Sequence, residues 1–372
     1  MTTREIRIDR DRPLTDQTET GHNRWHPDIP PILECDPGDE VVLETRDALD
    51  GQLTPESTVA QVGQVDLGVV HPLTGPVFVA GAQPGDLLEV EILEVAPEPF
   101  GFTAQIPGFG FLADLFDEPH LVRWQIEKGF ATSGDLPGVR VPAAPFMGTI
   151  GLTPGHELLR RTRDREQAAL DAGGAVLPPD PAGAVPATGS IAAEALRTIP
   201  PREQGGNVDI KHLVAGTRLF LPVDTPGALF SAGDAHFAQG DCEACGTAIE
   251  MAATLRVRFA IHSGMAAARG IQGPRFSREG SPSAAPTAEP ARYIATTGMP
   301  LTESGENRPG DLSLAARNAL LAMIDELQER GFSRPQAYAL CSVAVDLKVS
   351  QVVDVPNVLV SAFLPLDIFD SV

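Results

Sequence analysis

One short device occurs twice in the first hundred residues and limits what the chain can fold into. Pro37-Gly38-Asp39 is followed by EVVLETRDAL, and Pro84-Gly85-Asp86 by LLEVEILEV. In each case a tight turn delivers a run of alternating polarity, which predicts a strand. Two turn-plus-strand units point to an antiparallel β architecture rather than βαβ crossovers, although they are too short to establish a repeat. With 36 glycines, 34 prolines and 42% apolar residues, the composition is that of a folded chain of turns and short strands, not of disorder.

Later segments extend this pattern. Residues 97–155 are rich in Gly, Pro and Phe and read as loops and short strands packed by Phe102, Phe109, Phe111 and Phe146. HELLRRTRDREQAAL (156–170) has helical spacing, and 173–190 is small and Pro-rich, so 156–200 reads as an insertion, either a lid or a plain surface loop. Strands are expected at 217–223, 227–232 and 248–261, and an exposed connection at 270–289. Asp311 is placed to cap a helix ending at Gly331, with Leu314, Leu321, Ile324 and Leu327 on its apolar face. Ser333 caps a second helix, with Pro335 in its first turn and Cys341 as a small buried hydrophobe. VVDVPNVLVSAFLP (352–365) reads as a β-segment around a proline turn. The expected organisation is a β-rich part at 1–155, the insertion at 156–200, and a β part with a helix pair at 201–372. All three would interweave in one catalytic domain.

Charge restricts the partners. The net charge is −22, which repels nucleic-acid phosphates and anionic lipid and favours a small neutral substrate. No apolar run approaches a membrane span. The N-terminus MTTREIRIDRDRP lacks the apolar core of a signal peptide, and four cysteines are too few for a disulfide scaffold, so a cytoplasmic setting is expected.

Chemistry concentrates in SAGDAHFAQGDCEACGTAIEM (231–251). Asp234, His236, Asp241 and Glu243 can bind a metal or move a proton, and Gln239, Cys242, Cys245 and Glu250 add polar or nucleophilic atoms. An acidic, solvated turn would also give this composition. Upstream, REQGGNVD (202–209) is a Gly-Gly turn delivering Asn207 and Asp209, either to a site or merely to close the turn. His22, His26 and Asp28 cluster on an irregular segment, as pocket lining or as scaffold.

Taken together, GHNRWHPDIPP (21–31), HPLTGPVFVAGAQPGDLLEVEI (71–92), PREQGGNVDIK (201–211), GALFSAGDAHFAQGDCEACGTAIE (227–250) and SQVVDVPN (350–357) resemble the acetamidase/formamidase family of amide hydrolases. The blocks run in family order over nearly the whole chain, and the insertion at 160–200 resembles the longer, formamidase-like branch. One departure is Cys242, where the family usually shows Gly in GDGE. The resemblance implies a β-sandwich or jelly-roll-like antiparallel core with accessory helices, α+β overall. It also implies a homo-oligomer that hydrolyses a short amide to carboxylate and ammonia.

Such a reaction needs an activated nucleophile, an electrophile for the carbonyl and an acid for the departing nitrogen. A metal supplies the first two. The leading expectation is therefore a divalent cation, zinc first, held by His236, Asp234 and Asp209. Residues i and i+2 of an extended segment share a face, which would bring Asp234 and His236 to one ion. Glu243 is the expected base and ammonia-side acid, with Asp241 a further catalytic carboxylate. Gln239, Asn207 and His26 are the substrate-binding candidates. Three alternatives stay open: a thiol mechanism using Cys245 with Glu243 and Lys211, a redox or metal pair of Cys242 and Cys245, and a non-catalytic metal- or sugar-binding β-sandwich.

Overall fold

The first turn-plus-strand unit yields β1 (Glu40–Thr45), whose residues alternate between buried and half-buried. Next in the chain is β2 (Leu73–Val79). The second unit yields β3, which runs from Leu87 to Gln105. These elements belong to a computed structural model that describes residues 2–280 and 290–370. Then come β4 (His120–Glu127), β5 (Phe146–Leu152), α1 (His156–Asp171), β6 (Gly205–Asn207) and β7 (Thr217–Pro222). The chain continues through β8 (Phe230–His236), β9 (Glu250–His262), β10 (Tyr293–Gly298), α2 (Leu312–Glu329) and α3 (Arg334–Ala344). It ends with β11 (Asp346–Gln351) and β12 (Leu359–Pro365).

The fold is mainly antiparallel β with accessory helices. Its spine is the sequence of neighbours β4–β3–β9–β8–β5–β6, antiparallel at every step. Two flanking pairs are parallel: Thr3–Ile6 with β1, and Leu33–Cys35 with β2. The long strands change partners along their length. β3 pairs with β7 through Leu87–Glu91 and with β4 through Phe100–Gln105, so the sheet branches and turns a corner instead of staying flat. One apolar cluster includes Leu43, Val90, Trp124, Phe230, Leu255, Leu340 and Leu364 and joins the halves of the chain.

Some expectations need correction. Residues 97–105 are the second half of β3, not loop. Prolines 97 and 99 are accommodated because the β3–β9 register is irregular between Met251 and Ala253, where a missing N–H is tolerated. Phe102 and Phe146 are core residues, but Phe109 and Phe111 are 38% and 41% exposed. Within 270–289, Arg275–Arg278 is a strand on β7, and 281–289 lie outside the described residues.

Both helix caps form as expected. Asp311 accepts from the N–H of Leu314, and Ser333 from that of Gln336. The buried face of α2 is Ala315, Ala319, Leu320, Met323, Ile324 and Leu327, which leaves Leu314 and Leu321 half-buried at its edge. The alanines let the helix lie against β10: a Cβ on Gly298 would come 2.1 Å from the Ala315 carbonyl oxygen. Cys341 is buried in α3.

Candidate active site

β8 carries the centre of the site. All seven of its residues are buried, and it lies beside β5 and, at its end, β9. Asp234 and His236 fall two apart, and Asp234 Oδ1 is 3.3 Å from His236 Nε2. Glu250 opens β9 in register with His236, which puts its Oε2 3.3 Å from the same nitrogen. Glu243 reaches in from the connecting loop, with Oε1 4.0 Å from Nε2. Asp209 follows β6, where the N–H groups of Val208 and Asp209 both donate to the Gly148 carbonyl. Asp209, Asp234 and His236 offer ligand atoms all within 4.8 Å of one another, as do His236, Glu243 and Glu250.

The backbone is bent to achieve this. Asp209, Asp234 and Glu243 have φ of +45°, +56° and +47°, a region that costs non-glycine residues energy and is concentrated at functional sites. Gly148 on β5 forms the floor. A Cβ there would lie 2.7 Å from Asp209 Oδ1, 2.7 Å from His236 Cε1 and 2.8 Å from Asp234 Oδ2.

Polar neighbours fix the orientation. His236 Nδ1 donates to Gln239 Oε1 (2.8 Å), and Gln239 Nε2 donates to the Asp209 carbonyl (2.9 Å). One amide thus turns Nε2 toward the carboxylates and holds the Asp209 backbone. The edge of Phe146 packs on the imidazole, with centroids 5.0 Å apart. Thr149 Oγ1 lies 2.8 Å from Asn207 Oδ1 and 3.1 Å from Asp234 Oδ2.

Four carboxylates around one imidazole repel each other in a desolvated space. Burial pushes the Glu243 carboxyl up to about 8 and that of Glu250 up to about 7. Burial and the Glu243 charge raise Asp209 well above the carboxylate range. Burial opposes ionisation of Asp234 too, but the His71 and His236 rings outweigh it and hold its pKa down. Burial likewise disfavours charge on His236, yet Glu250 and Asp234 raise its pKa well above the usual value. Among the described residues, Asp209 Oδ1 and Glu250 Oε2 are buried without a hydrogen-bond partner.

Asp209, Asp234, Glu243 and Glu250 line one end of a cavity of about 140 Å³. His71, Asn207 and Thr247 belong to that polar end. Leu49, Leu67, Val70, Ile106, Phe109 and Ile199 wall the rest. The volume is well below the ~300–1,000 Å³ of sites for drug-sized ligands, so it suits a molecule of a few heavy atoms. The base of the insertion forms part of this wall. Ile199 accepts from Asn207 Nδ2 (3.0 Å) and Thr198 from the His71 N–H (2.5 Å). Arg24 Nη2 lies within 3.1 Å of the carbonyls of Gly68, Asp180 and Ala182, which ties the insertion to the segment carrying Leu67.

Other candidates sit elsewhere. Asp241 pairs with Lys211 at 3.4 Å, and its N–H donates to Asp346. Lys211 is also ion-paired with Asp346. The Cys245 thiol donates to the Thr247 carbonyl (3.5 Å), and burial raises its pKa, the environment of a structural thiol rather than an activated one. Cys242 is an exposed free thiol. His26 takes the Asp28 N–H at Nδ1 (3.1 Å) and packs edge-on to His156, apart from the acid cluster. His22 bonds the Arg24 carbonyl and Ser231 as buried scaffold. Sequence reasoning undervalued Glu250 and missed His71. Glu250 stood among the polar atoms of 231–251, but only the β8–β9 register reveals that it faces His236. His71 had no local signal beyond its place in HPLTGP.

Known proteins resemble this chain over nearly its whole length. The chain is 36% identical to a formamidase of Methylophilus methylotrophus, over 98% of this chain and 93% of that one. It is 35% identical to an acetamidase of Mycolicibacterium smegmatis, over 90% and 87%. In structure it is similar to a gamma lactamase from Delftia acidovorans, with a TM-score of 0.93 and 36% identity, covering 99% of this chain and 94% of that one. The family model for acetamidases and formamidases matches residues 7–371, and with near full-length relatives at this identity the chain belongs to the acetamidase/formamidase family of amide hydrolases.

Proposed function

We propose that the chain hydrolyses a short-chain aliphatic amide, formamide or acetamide, to the carboxylate and ammonia, and that it needs a divalent cation, zinc first. Relatives named formamidase and acetamidase support the substrate class, and so does the small cavity with one polar end. A net charge of −22 disfavours a polyanionic substrate, and no described helix is long and apolar enough to cross a membrane.

The observation that carries the metal reading is Asp209 Oδ1. It is a buried carboxylate oxygen without a hydrogen-bond partner among the described residues, on a residue that converges with Asp234 and His236. An unpaired buried carboxylate costs several kcal/mol, and a cation would offset that for the whole cluster. A set of two oxygens and one imidazole nitrogen suits zinc-like ions better than calcium. Bound there, such an ion would lower the pKa of a water to about 7 and polarise the amide carbonyl. Glu243 is less buried than Asp234 or Glu250, with side-chain exposures of 15%, 3% and 2%, and lines the cavity. It takes the proton of the attacking water and returns it to the departing nitrogen. Gln239 keeps Nε2 of His236 directed inward throughout. Ammonia release from formamide and acetamide, assayed with divalent metal present, is the direct test. No release from any short amide would contradict the proposal and favour a binding protein.

A further inference from the structure

The apolar walls of the cavity are of two kinds. Leu49, Val70 and Ile106 belong to a buried cluster with Leu53, Val62 and Phe102, and Leu67 and Ile199 pack against it. Those walls are fixed by the core. Phe109 stands outside that cluster, on a loop between Gly108 (φ +80°) and Gly110 (φ +103°). It lines the cavity while 38% exposed, so it forms the rim.

Its position is nonetheless defined. The ring lies so close on Gly246 that a Cβ there would come within 2.5 Å of Cδ1. Just beyond, Phe111 donates its N–H to the Ala244 carbonyl (2.9 Å), and Leu112 donates to Tyr338 Oη (2.9 Å). Phe109 is therefore seated on the same loop that carries Glu243. An amide bound with its carbonyl and nitrogen among the carboxylates would lay its acyl chain against the apolar walls, of which this ring is one.

We propose that Phe109 is a specificity-determining residue that limits the length of the acyl chain. The inference rests on the acid cavity being the place of reaction. The test compares kcat/KM for acetamide and butyramide, and for formamide and its N-ethyl derivative, in the wild type, Phe109→Ala, Phe109→Leu and Phe111→Ala. Each ratio is taken within one preparation, so inactive protein cancels. A methylene in an apolar pocket is worth about 10–200-fold. Phe109→Ala should accordingly raise the butyramide-to-acetamide ratio about tenfold or more, Phe109→Leu should raise it less, and Phe111→Ala should leave it unmoved. An unmoved ratio in Phe109→Ala overturns the proposal. So does an equal shift in Phe111→Ala, which would mean a loosened loop, or a shift confined to the N-ethyl pair, which would put the leaving group at the rim. Undiminished turnover by Glu243→Gln would instead remove the site reading beneath it.

Discussion

Gly148 has no side chain, and three site atoms occupy the space one would fill. Gly148→Ala should therefore leave the fold standing but displace Asp209, Asp234 or His236. Overpacking of this kind costs about 1–3 kcal/mol. Thermal unfolding and metal stoichiometry together check it, and the expected result is a modest drop in Tm with a larger loss of bound metal. Glu243 and His236 should separate in the same assay. Glu243→Gln should lower kcat by about 10²–10⁴, the range for lost acid–base catalysis, while keeping its metal. His236→Ala should lose both. Buried His22 gives a prediction about stability. Burial lowers its pKa to about 4, so the unfolded chain binds the proton first. The stabilisation is fully present above pH 6.5 and is lost as pH falls from 6.5 to 4, by roughly 3 kcal/mol. Denaturant unfolding of His22→Gln should show a shallower loss of stability over that window.

At the scale of elements, α3 does more than cover the sheet. Tyr338 Oη donates to the Ala244 carbonyl at 2.5 Å and accepts from Leu112. Ser342 Oγ donates to the Thr247 carbonyl at 2.6 Å and accepts from Cys245, and its own carbonyl takes the Gly240 N–H. The helix thus clamps the loop that delivers Glu243. Tyr338→Phe leaves the buried Leu112 N–H unsatisfied, at about 1–3 kcal/mol, and leaves the Ala244 carbonyl only its bond from the Phe111 N–H, so its Tm should fall and hydrogen exchange at 240–249 should quicken. Unchanged exchange there would argue against a clamp. The elements were largely legible in the sequence, because the alternation after each Pro-Gly-Asp turn and the Asp311 and Ser333 caps are local signals. β3 beyond Val95 was not, since the Gly, Pro and Phe content from residue 97 reads as loops and short strands, and only the irregular register with β9 shows where Pro97 and Pro99 fit.

On the scale of the whole molecule, the site depends on contacts far apart in sequence. Asp234 with His236 was legible from their spacing, and Asp209 as a contributor from a separate loop. Glu250, His71 and Gly148 were not, because Gly148 and Glu250 meet the others only through the pairing of β5, β8 and β9, and His71 only through that of β2 with β8. Lys211 with Asp241 and Asp346, likewise, is a product of tertiary pairing. From the insertion Ile199 lines the cavity, and Arg24 hydrogen-bonds the Asp180 and Ala182 carbonyls as well as that of Gly68, beside Leu67. Asp209, Asp234 and His236 are the proposed ligands of a catalytic cation. Ammonia release from formamide, measured alongside metal content through chelation and re-addition, tests that role most directly. Activity should disappear with the metal and return with about one equivalent of a divalent ion. A thoroughly metal-free protein that turns over at its original rate would contradict it.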